Sequence, residues 1–82
     1  MISILESKRR EIEDLCTRYG VARLEAFGSA LSQGFRPDAS DVDLLVELKS
    51  MEPYARVEAY FGLLEELRKL LNRKIDLVMA ER

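Results

Sequence analysis

Apolar residues recur along this chain with two different periods, and the switches between them predict its elements. Leu5, Ile12, Leu15, Cys16 and Tyr19 share one face of a helix over Ile4–Tyr19, while the run ESKRREIED supplies the other face. Pairs at i,i+4, Glu6 to Arg10 and Arg9 to Glu13, add support. Ser3 is placed to cap the start with Glu6 closing a capping box, and Gly20 follows the last periodic residue as a C′ glycine. Val21–Phe27 reads as a strand ended by Gly28, and Ser29–Gln33 as a short helix broken by Gly34. FRPDAS is a turn, because Pro37 presets φ and Asp38 and Ser40 bond locally to backbone. Asp41–Leu48 is the clearest strand. Pro53 suits the first turn of a helix reaching about Asn72. On that helix Val57, Tyr60, Phe61, Leu64, Leu67 and Leu71 are expected to share the core face, broadened by Leu63 and Leu70. Lys74–Met79 is a third strand.

The order α-β-(short α)-β-α-β implies an α/β (α+β) fold: a small mixed sheet with helices on one face. The 82 residues have room for one domain, 1–82, which at this size buries only about 60–65% of its unfolded surface. Apolar residues make up 48% and charged residues 34%, a folded rather than a disordered profile. The formal net charge of −2 argues against a general nucleic-acid binder, so no direct nucleic-acid contact is expected. It leaves room for a nucleotide, since metal ions bridge carboxylates to phosphates. Histidine is absent, which removes Ser-His and Cys-His catalysis and His-ligated zinc. A single cysteine, Cys16, gives neither a disulfide framework nor a zinc cluster. No signal-peptide h-region and no membrane-length apolar run is present, so the expected location is cytoplasmic, with no membrane partner.

The candidate chemistry lies at the mouth of the second strand. Side chains alternate along a strand, so Asp41, Asp43, Leu45 and Glu47 point one way and Val42, Leu44, Val46 and Leu48 point into a core. Two carboxylates this close repel unless a cation intervenes, and Mg²⁺ is the natural one, since it takes carboxylate oxygens and recruits phosphates. On the third strand Ile75, Leu77 and Met79 face the core, while Asp76 and Val78 face the other side. If the two strands are neighbours, Asp76 joins Asp41 and Asp43 in a cluster able to hold two metal ions. Taken alone, a D-x-D at a strand's start is more often a turn or a solvated edge, and Asp76 could face water or pair with Lys74. Gly28-Ser29 presents backbone N–H groups and a hydroxyl suited to a phosphate; taken alone, it is a plain turn with Ser29 as an N-cap.

The combination is much more specific. Gly28-Ser29, then Asp41-Val42-Asp43, then Asp76 on a later strand resembles the nucleotidyltransferase superfamily of DNA polymerase β type, over nearly the whole chain from Ile4 to Met79. The size resembles the minimal nucleotidyltransferases, the MNT- or MntA-like antitoxins. The resemblance implies a polymerase β-like palm core, Mg²⁺ (two ions) and ATP as substrate. It further implies transfer of AMP to a hydroxyl, tyrosine foremost, of a partner HEPN-domain ribonuclease toxin, as in type VII toxin–antitoxin pairs. Residue by residue, it gives Asp41, Asp43 and Asp76 as catalytic metal ligands. Gly28 and Ser29 become the holders of the β- and γ-phosphates.

One departure stands out. Family members often carry arginines directly after the G-S, whereas this chain has Ala30, Leu31, Ser32, Gln33 and Gly34; Arg36 is the nearest substitute. The rival reading is a binding module that inhibits its partner by occlusion, its acidic cluster complementing a basic groove. A third is a subunit acting on a small molecule, which would need an added acceptor-binding domain. Homo- and hetero-oligomers both stay open.

Overall fold

A computed structural model describes residues 4–27 and 42–80. The elements are α1 (Ile4–Ser7), α2 (Arg9–Arg18), β1 (Val21–Phe27), β2 (Val42–Leu48), α3 (Pro53–Leu71) and β3 (Ile75–Met79). Gly28, Ser29 and Asp41, the expected short helix and the FRPDAS turn lie outside the described residues, as does Ser3.

The single first helix expected over Ile4–Tyr19 is interrupted at Lys8, where φ is −112° and ψ 19°. From Glu6 to Glu11 no apolar side chain is offered to the core. Tertiary packing, the main source of helical stability in short segments, does not hold that turn. Beyond it the pattern works as read: Leu15 is buried, and Ile12, Cys16 and Tyr19 pack half-buried against the core. Arg9 Nε lies 3.3 Å from Glu13 Oε2. Gly20 ends the segment at φ +69°, a left-handed conformation that favours glycine.

β1, β2 and β3 form one sheet in that order, β1 antiparallel to β2 and β2 parallel to β3. A parallel neighbour requires a crossover, and α3 supplies it. Glu52 caps α3 by accepting from the Ala55 N–H at 3.2 Å, and Pro53 occupies its first turn. Asn72 closes it in the left-handed region at φ 53°. Val42, Leu44, Val46 and Leu48 alternate buried positions along β2 and meet Leu63, Leu67 and Leu71 of α3. Leu15, Val21, Ile75 and Leu77 complete this core.

The core face of α3 is rotated from the expected one. Leu63, Leu67 and Leu71 are fully buried and Tyr60, Leu64 and Leu70 half-buried, whereas Val57 is 53% and Phe61 60% exposed. The sheet admits an arc centred on Leu67, and at 100° per residue Val57 and Phe61 fall beyond its edge. The Tyr60 hydroxyl donates to the Leu77 carbonyl, which pins the rotation.

Candidate active site on the uncovered sheet face

α2 and α3 pack on the face of the sheet that carries Val42, Leu44, Val46 and Leu48. No described element covers the opposite face, and the register lays out its residues in rows. Asp43 stands between Phe27 on β1 and Asp76 on β3. The next row is Glu25, Leu45 and Val78, and the third contains Arg23 and Glu47.

The strand adjacency that the three-carboxylate reading required is therefore present for two of its members. Asp43 and Asp76 are direct register partners in the parallel pair. Neighbouring strands run about 4.8 Å apart, so both carboxylates stand side by side on one face. Asp76 is exposed and Asp43 half-buried, as a central strand dictates. Among the described residues neither makes a hydrogen bond or an ion pair; the Lys74–Asp76 pairing considered from the sequence is not formed.

Arg23, a cation of this face, is engaged by other carboxylates. Arg23 Nε lies 3.3 Å from Glu47 Oε1, and its Nη1 lies 3.6 Å from Glu25 Oε2. It sits two rows from the aspartates, about 13 Å along the strand, beyond a Debye length of about 8–10 Å. Two adjacent, unpaired carboxylates repel, and a hard divalent cation relieves that repulsion with oxygen ligands of the right kind. The donor set thus fits Mg²⁺. Among the described residues no group of three metal-ligating side chains converges; Asp41, the third expected ligand, is not one of them.

Two clefts among the described residues lie on the helical side. One is lined by Leu64, Arg68, Asn72, Lys74 and Ile75, the other by Leu15, Arg18, Glu66 and Leu70 between α2 and α3. Neither contains a candidate residue. A cluster of cations at the end of a helix is explained by favourable interaction with its C-terminal carbonyls, so the carboxylate pair has the stronger claim to chemistry. Leu45 and Val78 of the middle row are apolar, as the alternation places them, and Val78 is 42% exposed beside the aspartates.

Among known protein families, the model of the nucleotidyltransferase domain matches residues 8–82. No curated protein matches the chain, and no solved structure does.

Proposed function

The chain belongs to the nucleotidyltransferase domain family, of polymerase β type, and on that premise we propose that it is a Mg²⁺-dependent protein adenylyltransferase. It moves AMP from ATP to a tyrosine hydroxyl of a partner HEPN-domain ribonuclease toxin and acts as that toxin's antitoxin in the cytoplasm. Nucleotidyl transfer itself follows from the family. The observation that supports the metal-dependent step is the register pairing of Asp43 with Asp76 on a sheet face that no described element covers, and the partner class rests on the resemblance in motif and size.

In this reading Asp41, Asp43 and Asp76 hold the metal ions, and Gly28 and Ser29 hold the β- and γ-phosphates through backbone N–H groups and the hydroxyl. Bound Mg²⁺ supplies neutralisation of the triphosphate charge. The partner's hydroxyl oxygen bonds to the α-phosphorus as the bond from that phosphorus to the bridging oxygen breaks. Pyrophosphate leaves with that electron pair, and Asp76 takes the hydroxyl proton. No histidine is needed. Most of the acceleration comes from positioning and charge stabilisation. A sheet face that no described element covers suits an acceptor presented by another protein.

The absence of arginine from Ala30 to Gly34 favours one rival, inhibition of the partner by occlusion without catalysis. One experiment separates the two. The protein is incubated with α-labelled ATP, Mg²⁺ and the protein encoded beside it, in parallel with Asp41→Asn/Asp43→Asn. Label on the neighbour's tyrosine with the unaltered protein, reduced at least about 10²-fold by the carboxamides, supports the enzyme. Equal, tight binding by both forms with no label transferred sinks it in favour of occlusion.

A further inference from the structure

The outer edge of β3 is left unpaired among the described residues. Val42 N–H donates to the Lys74 carbonyl and Ala80 N–H to the Val46 carbonyl. In a parallel ladder this turns the backbone groups of Lys74, Asp76, Val78 and Ala80 toward β2 and those of Ile75, Leu77 and Met79 outward. The other edge is protected: β1 has a bulge between Val21 and Arg23 and bears the charged Arg23 and Glu25. β3 has no proline and no bulge, and its one charge, Asp76, stands on the face away from the helices.

Beside this edge lies a helix stripe that no described element covers. Tyr54, Val57 and Phe61 of α3 are 70%, 53% and 60% exposed. Leu64, one step inward, lines a cleft with Ile75, and Tyr60, which meets the Phe61 ring edge-on at 5.1 Å, reaches the Leu77 carbonyl. α2 lies on the other flank, where Tyr19 abuts Gly62. The stripe therefore borders β3.

We infer that the β3 edge and the Tyr54–Val57–Phe61 stripe together form an interface with a second copy of this chain, by antiparallel pairing of the two β3 strands about Leu77. The self-complementarity of β3 selects this occupant. About a two-fold axis at Leu77, Ile75 pairs with Met79 of the second copy and Leu77 with itself, so the outward N–H and C=O groups satisfy one another. The Leu77 carbonyl keeps its bond from Tyr60 through its second lone pair. Facing the helices, every pair is apolar on apolar, continuing the core layer. On the uncovered face, Asp76 lies opposite Val78 of the second copy rather than another aspartate, so no like charges are directly opposed. The two α3 helices run side by side, apolar stripe to apolar stripe. The inference does not depend on nucleotidyl transfer.

Sedimentation velocity on the full chain, from about 1 μM to about 1 mM, tests it. The unaltered protein should shift from monomer to dimer within that range. Val57→Lys/Phe61→Lys should remain monomeric throughout, and so should Met79→Pro, which removes an outward N–H and no ladder bond. Circular dichroism checks that each variant is folded. Cys16→Ala/Asp76→Cys/Val78→Cys reads the register, since residues 76 and 78 of opposing copies form a close, non-hydrogen-bonded pair. Oxidation should give a covalent dimer. A monomer at about 1 mM, with the edge left to another part of the chain or to a different partner, overturns the inference. Dimerisation unchanged in the folded lysine variant, or a dimer that does not cross-link, also overturns it.

Discussion

A Cβ placed on Gly62 would lie 2.6 Å from Cε1 of Tyr19. Alanine there gains about 1 kcal/mol in helix propensity, but forcing the half-buried Tyr19 ring aside costs about 1–3 kcal/mol. The cost wins: Gly62→Ala should lower stability by about 1 kcal/mol in urea unfolding, against the propensity trend. Nothing in the helical periodicity marks Gly62, because its constraint comes from a residue 43 positions earlier in the chain. Cys16 shows a similar dependence on surroundings. Burial foremost, and Glu13 after it, raise its thiol above the ordinary 9.0. The folded state thus keeps a proton that the unfolded state has released. This contribution to stability is fully present below about pH 9 and is lost as pH rises through the higher folded value. The rate of Cys16 alkylation against pH should have its midpoint above that of the urea-unfolded chain.

At the scale of the element, α3 separates what a pattern says from what packing admits. Its limits, Pro53 to Asn72, were legible because a proline at the first turn and an asparagine in the left-handed region are local requirements. Its rotation was not. Leu67, at 0% exposure, and Phe61, at 60%, both sat in the expected core stripe. Leu67→Ala should cost about 2–5 kcal/mol, since it opens a cavity under a sheet with little freedom to collapse. Phe61→Ala, assayed at low micromolar concentration, should change stability by about 0.5 kcal/mol or less. Comparable losses from the two substitutions would place the core elsewhere. The break at Lys8 has a similar origin, because a helix without apolar residues facing the core keeps only its propensity.

For the molecule as a whole, the side-by-side placement of Asp43 and Asp76 comes from the order β1-β2-β3. Asp43→Asn/Asp76→Asn removes a repulsion and no hydrogen bond or ion pair among the described residues. Its stability without metal should therefore match or exceed that of the unaltered protein. Addition of Mg²⁺ should raise the Tm of the unaltered protein and leave that of the variant in place, since only a ligand bound to the folded state stabilises it. An equal Tm rise in both would remove the carboxylates from the metal site. The sequence by itself determined the strands, the crossover helix, and which side of each strand its aspartates occupy. Alternation and capping act over a few residues and can be read within them. Only the tertiary structure decided that β2 and β3 are neighbours in that register. It also decided that α3 turns Val57 and Phe61 outward and that the outer edge of β3 is unpaired among the described residues. Those outcomes depend on which surfaces pack together across the whole chain, and no local period encodes that choice.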